Sequence, residues 1–341
     1  MAIRIAINGF GRIGRAAFKA ALANKDLAVV AINDLTDNKT LAHLLKYDTV
    51  YRQYPGQIEG NQEGIRIDGK LYPVFEEKEP AKLPWAKLKV DVVLECTGKF
   101  TDGKGAGEHL KAGAKRVIIS APAKDESTQT LVFGTQNSVD CLKNNKCEPV
   151  ISMASCTTNC IAPVMQILES KFGIEKAFMT TIHSYTADQN LVDGPHRDLR
   201  RARAAGQNMI PTTTGAAKAV AKVIPTLNKL FDGISVRVPT ICVSLSDITV
   251  VLKQKEVTVQ QVNDAFKEAV KNPLFKNVLA ISEIPLVSSD FTGNSYSSIV
   301  DLEYTNVIAG NFVKILAWYD NEWGYSTRLV EMAQAVGKLI K

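Results

Sequence analysis

The chain has 341 residues, 45% hydrophobic and 22% charged, which suggests two domains with cores that need no metal or disulfide. A formal charge of +6 is a mild excess over that length; it suits small anionic ligands and gives no ground for nucleic acid as the main partner. No window approaches the ~18 uninterrupted apolar residues of a membrane helix, the N-terminus lacks a signal-peptide pattern, and six scattered cysteines fit a reducing compartment, so a cytoplasmic location is expected.

The first element reads as a short alternating strand, Ile3 to Ile7, and is followed by Gly9-Phe-Gly11-Arg-Ile-Gly14. Gly9 permits a tight turn, Gly11 lets backbone approach a pyrophosphate, and Gly14 allows close helix–strand packing. A helix from Gly14 to Leu22 is predicted by Ile13, Ala17, Ala20 and Ala21 at helical spacing. Its N-terminus would offer N–H groups and a partial positive charge to phosphates. The next strand, Leu27 to Ile32, runs into Asp34, where a carboxylate can bond ribose hydroxyls and repel a 2′-phosphate. Residues 51–84, richer in polar residues, Gly and Pro, are read as turns and short strands. Apolar runs at 90–94 and 117–119 continue a strand–helix alternation that predicts a parallel, doubly wound sheet.

A short strand, Pro149 to Ser152, then leads into Ser155-Cys156-Thr157-Thr158-Asn159-Cys160, with Ile161, Val164, Met165 and Leu168 at helical spacing. That places Cys156 at a helix N-terminus, where a thiolate is favoured. Pro163 is expected to bend this helix after its first turn. Taken alone, such a cysteine is more often a small buried apolar residue, so a base is needed. Of the four histidines, His43 and His109 sit in helical patterns and His196 in a polar loop. His183 ends a strand-like run, 177–182, and opens the turn Ser184-Tyr185-Thr186, the place where loops present catalytic groups.

The basic run His196 to Arg203 reads by default as a solvated loop. Pro211-Thr-Thr-Thr-Gly215 could bind oxyanions at the start of an apolar helix. Arg237, alone among β-branched neighbours, needs an anion or a solvent cleft. Alternation from Ile234 through Val250 predicts a mostly antiparallel sheet. Thr258 and Gln261 form a capping box before Val262, Phe266 and Val270. A strand, Phe312 to Trp318, precedes a terminal helix carrying Leu329, Met332, Val336 and Leu339 on one face.

Six segments in this order carry a resemblance over essentially the whole chain: Ala6-Ile-Asn8-Gly-Phe-Gly-Arg-Ile-Gly14, Ala154-Ser-Cys-Thr-Thr-Asn-Cys160, His183-Ser-Tyr-Thr186, Pro211-Thr-Thr-Thr-Gly-Ala-Ala-Lys218, Arg237-Val-Pro-Thr240 and Tyr319-Asp-Asn-Glu-Trp-Gly-Tyr325. The sequence resembles the phosphorylating glyceraldehyde-3-phosphate dehydrogenase family. The resemblance implies an α/β fold: a Rossmann-type NAD-binding domain over 1–155, completed by a C-terminal helix at 320–341, and an α+β catalytic domain over 156–319. It implies Cys156 as nucleophile and His183 as base. It implies Gly9, Gly11, Arg12, Ile13, Gly14, Asp34, Lys78, Ser120 and Asn321 as NAD contacts. Thr186 and Arg237 would hold the substrate phosphate. Ser155, Thr157, Thr214 and Gly215 would hold inorganic phosphate, with Arg201 near both. The products would be 1,3-bisphosphoglycerate and NADH, and the assembly a homotetramer.

Lys78 stands where many members carry arginine. Asp34-Leu35 and Pro195 match the NAD-using pattern, whereas Gly194 leaves partial NADP use open. The competing readings are an erythrose-4-phosphate dehydrogenase and a non-catalytic NAD- or RNA-binding protein.

Overall fold

The computed structural model describes residues 2–340. The chain forms two compact units. The first takes the residues up to Leu131, Asp140–Ala154 and those from Ser326 onward, and the second Val132–Val139 and Ser155–Tyr325.

In the first unit a nine-stranded sheet runs across, in order, Gln129–Thr130, Val150–Ser152, Arg116–Ile119, Val92–Glu95, Ile3–Asn8, Leu27–Asn33, Lys70–Phe75, Gly64–Ile67 and Ile58–Asn61. Every pairing from the first strand to Lys70–Phe75 is parallel. The last three strands are joined antiparallel, as hairpins from the segment read as turns and short strands. The central strand is not alternating, as its sequence suggested: Ile5, Ala6 and Ile7 are all fully buried. A parallel sheet covered on both faces buries both sides of its middle strands, which overrides the period-2 reading.

The helix after it, Arg12–Leu22, starts two residues before the predicted Gly14, because Gly11 takes the cap position with extended backbone. A later helix, Trp323–Lys338, belongs to the same unit from Ser326 onward. Its Ser326 Oγ lies 3.4 Å from Ile13 O and Gln334 bonds Asn24 at 3.0 Å. A Cβ on Gly337 would lie 2.6 Å from the Ile3 side chain, so glycine here lets helix and strand touch.

The second unit holds a seven-stranded sheet in the order Ile210–Thr213, Phe231–Val238, Ile174–Ser184, Ser244–Leu252, Phe312–Tyr319, Ser298–Ile308 and Leu279–Ser282. Four of its six pairings are antiparallel. The pairings of Ile174–Ser184 with Phe231–Val238 and of Leu279–Ser282 with Ser298–Ile308 are parallel. Helix Cys156–Phe172 packs on one face, with every residue from Thr157 to Met165 buried. Pro163 is carried inside this helix, which continues beyond it to Phe172. The capping box at Thr258 forms with both of its reciprocal bonds and opens helix Val259–Ala269.

The cysteines are less scattered than their spacing suggests. Cys141, near the end of helix Gln136–Lys143, meets Cys147 in a disulfide with Cα atoms 5.1 Å apart. The helix and the turn after it bring the two together; spacing alone gave no sign of this. Cys96, Cys156, Cys160 and Cys242 are not in disulfides.

Candidate active site

In the first unit the glycine turn opens a pocket of about 340 Å³ at the C-terminal ends of the central strands. Gly9, Gly11, Asp34 and Lys78 line it, as the sequence suggested. Nothing lies within 4 Å of a Cβ built on Gly11, so its backbone faces open space, whereas a Cβ on Gly14 would collide with the Gly9 carbonyl oxygen. Asp34 is held by two backbone amides: Phe10 N–H donates to Oδ2 at 2.6 Å and Thr36 N–H to Oδ1 at 2.9 Å. The cradle fits a dinucleotide.

Arg12, Ile13, Gly14 and Ser120 do not line this pocket. Arg12 instead donates to Asp48 at 2.8 Å, and Ser120 N–H donates to Glu95 O at 3.0 Å. Asn8, Asn33, Thr97, Lys99 and Phe100 do line it, and the sequence reading missed them. They come from the ends of separate strands, with no local motif.

Gly9 holds φ at 91°, and a Cβ there would sit 2.6 Å from Thr97 N. Left-handed backbone on a non-glycine residue costs on the order of 1–3 kcal/mol before the clash is counted. Gly9→Ala is therefore expected to weaken dinucleotide affinity by at least about tenfold, read by titration calorimetry. Unchanged affinity would remove the turn from the site.

In the second unit the strand ending at Ser184 delivers His183 beside the helix N-terminus. Cys156 Sγ lies 3.5 Å from His183 Nε2. His183 Nδ1 sits 2.7 Å from Ser184 O, an acceptor only, so Nδ1 carries a proton and Nε2 faces the sulfur. Burial pushes the Cys156 thiol up, and the Arg237 guanidinium opposes that. Burial pushes His183 down, reinforced by Arg237 and Arg201. The two are therefore one pair, close enough to pass the thiol proton from sulfur to Nε2.

Just before the helix, Ala154 takes φ of 54°, a left-handed turn costing roughly 1–2 kcal/mol, and Ser155 caps the helix by accepting from Thr158 N–H at 3.1 Å. Tyr319 OH, fully buried, meets Thr157 Oγ1 at 2.8 Å and Thr181 Oγ1 at 2.9 Å.

The parallel register sets His183 opposite Arg237, and Arg237 opposite Ile210 on its other side. Arg237 donates to Ser184 O at 3.2 Å and to Thr186 Oγ1 at 3.1 Å, and its buried Nε has no partner. Arg201 donates to Thr212 Oγ1 at 3.0 Å and pairs with Asp188. The sheet thus gathers Cys156, His183, Thr186, Arg201 and Arg237. Gly215 caps helix Ala216–Val223 without a side-chain bond, while Thr214 Oγ1 accepts from Ala216 N–H at 3.2 Å. Asn321, nearly buried, accepts from Ser244 Oγ at 3.0 Å.

A glycine turn lining a pocket in one unit and a cysteine–histidine pair beside arginines in the other are the parts that a dehydrogenase working through a cysteine needs. The comparisons narrow the class. A family model described as glyceraldehyde 3-phosphate dehydrogenase, NAD binding domain, matches residues 3–103, and one for the C-terminal domain of the same enzyme matches 155–321. Glyceraldehyde-3-phosphate dehydrogenase 1 of Bacillus cereus is 54% identical over 97% of each chain. The enzyme of Geobacillus stearothermophilus is 52% identical over 98% of each. The chloroplastic B form of Pisum sativum is 48% identical over 98% of this chain and 74% of its own length. The chain belongs to the glyceraldehyde 3-phosphate dehydrogenase family.

Proposed function

We propose that the protein oxidises D-glyceraldehyde 3-phosphate to 1,3-bisphosphoglycerate with reduction of NAD, in glycolysis or gluconeogenesis. The observation that carries this reading is the 3.5 Å approach of Cys156 Sγ to His183 Nε2 with Arg237 on the adjoining strand. Cys156 attacks the aldehyde carbon to give a hemithioacetal, and the helix N-terminus steadies the oxyanion. His183 takes the hydroxyl proton as the hemithioacetal is oxidised to a thioester. NAD, when bound, supplies the hydride acceptor. Inorganic phosphate then attacks the thioester, the acyl phosphate leaves and the thiolate returns.

The substrate phosphate is assigned to Arg237 and Thr186, and inorganic phosphate to Ser155, Thr157, Thr214 and Gly215, with Arg201 near both. The dinucleotide is assigned to Gly9, Gly11, Arg12, Ile13, Gly14, Asp34, Lys78 and Ser120, and its nicotinamide amide to Asn321. Two of these residues already have partners: Arg12 pairs with Asp48, and the Ser155 hydroxyl caps its helix.

A homotetramer is supported by apolar side chains exposed on the strands of the second unit, Phe178, Ile234, Tyr304, Ile308 and Phe312. Among the described residues no helix is long and apolar enough to cross a membrane. The cytoplasmic assignment rests on the four cysteines outside any disulfide, and in that compartment the Cys141–Cys147 bridge would be reduced.

The test is NADH formation from glyceraldehyde 3-phosphate with and without inorganic phosphate, with NADP in parallel. Fast, phosphate-dependent NADH formation is expected. Reduction that ignores phosphate would overturn the phosphorylating step, and a preference for erythrose 4-phosphate would replace the substrate.

A further inference from the structure

Beneath the dinucleotide pocket lies a buried polar chain that the proposed reaction does not use. Asn33, Asn8, Glu95, His109 and Trp85 are each at most 4% exposed. Its two ends can only donate. At one end Glu77 N–H donates to Asn33 Oδ1 at 2.9 Å, which leaves Asn33 Nδ2 to donate to Asn8 Oδ1 at 2.7 Å. Asn8 Nδ2 must then donate to Glu95 Oε2, 2.5 Å away. At the other end the Trp85 indole N–H donates to His109 Nδ1 at 2.9 Å. His109 is therefore a neutral imidazole whose Nε2–H donates to the same Glu95 Oε2 at 3.1 Å.

The other oxygen of Glu95 is engaged as well. Its Oε1 accepts from Thr97 N–H at 2.8 Å and from the Thr97 hydroxyl. Four donors thus converge on one buried carboxylate, and among the described residues no Lys or Arg pairs with it. A buried anion without a cation holds its place only through such donors, so removing one disturbs the rest. Three members of the arrangement, Asn8, Asn33 and Thr97, are themselves pocket wall.

We propose that His109 is a positioning residue for the dinucleotide: by donating to Glu95 it holds Thr97 and Asn8 where the cofactor meets them. The inference rests on reading this pocket as the NAD site. Phenylalanine at 109 fills the ring volume but cannot donate, whereas glutamine keeps an N–H for Glu95.

Titration calorimetry with NAD on the cofactor-free protein tests this, alongside the rate at which iodoacetamide modifies Cys156. His109→Phe is expected to raise the NAD Kd at least about tenfold. His109→Gln is expected to return it to within about threefold of the parent, and both leave the Cys156 rate within about twofold. Thr97→Val, which removes one donor from the same carboxylate, moves the Kd in the same direction. An NAD Kd within twofold of the parent for His109→Phe, no rescue by glutamine, or an equal change in Cys156 reactivity each overturns the role. If His109→Phe does not fold, Thr97→Val decides, and an unchanged Kd there overturns it too. Failure of the parent itself to bind NAD would overturn the pocket reading together with this one.

Discussion

Cys156→Ala is expected to lower dehydrogenase turnover by about four orders of magnitude or more while NAD affinity stays within about twofold. The size follows from the chemistry: without sulfur there is no hemithioacetal, no thioester, and nothing for phosphate to attack. The selectivity follows from the placement of the residue. Cys156 belongs to the second unit, whereas the proposed dinucleotide contacts other than Asn321, the glycine turn, Asp34 and the pocket wall among them, belong to the first. Turnover assays and NAD calorimetry on the same preparation check both halves. Residual turnover near the parent's would reassign the nucleophile; of the other cysteines outside any disulfide, Cys160 and Cys96 are pushed up to about 12 by burial and are poor replacements.

Arg237→Ala is expected to lower kcat/KM for glyceraldehyde 3-phosphate by about 100-fold or more, again with little change in NAD affinity. A charge-assisted hydrogen bond contributes about 1.5–3 kcal/mol, and Arg237 offers an unpartnered buried Nε as well as its bonds to Ser184 and Thr186. The same guanidinium favours the Cys156 thiolate. Its removal should therefore shift the rise of iodoacetamide reactivity to higher pH. Arg237→Lys restores a charge without the fork and is expected to recover only part of the loss. Equal losses in substrate use and NAD affinity would count against a phosphate role.

How much of this was legible in the sequence depended on how local the signal was. The glycine turn and Asp34 follow one strand and one helix, so spacing alone placed them. The capping box at Thr258 was equally local. Cys156 and His183 were each recognisable, yet their contact depends on how a helix settles on a sheet. The alignment of His183 with Arg237 is a register fact that no periodicity encodes. The pocket wall of Asn8, Asn33 and Thr97 was invisible because three separate strands supply it. The contact of Arg12 with Asp48 was equally invisible, because a short later strand, Tyr47–Asp48, supplies the carboxylate. The long strand Ser298–Ile308 went unread because Asp301, Glu303, Tyr304 and Asn306 interrupt its apolar period.

From Ser326 onward, helix Trp323–Lys338 belongs to the unit that Ile3–Asn8 begins. During synthesis the nucleotide-binding unit must wait for residues made some 320 positions after its first strand. At 5–20 residues per second, the ribosome takes on the order of 15–60 s to supply them. The second unit, whose last residue is Tyr325, has all of its residues first. A nascent chain stalled near that point would carry Cys156 and His183 in a complete unit while its cofactor fold still lacked its closing helix.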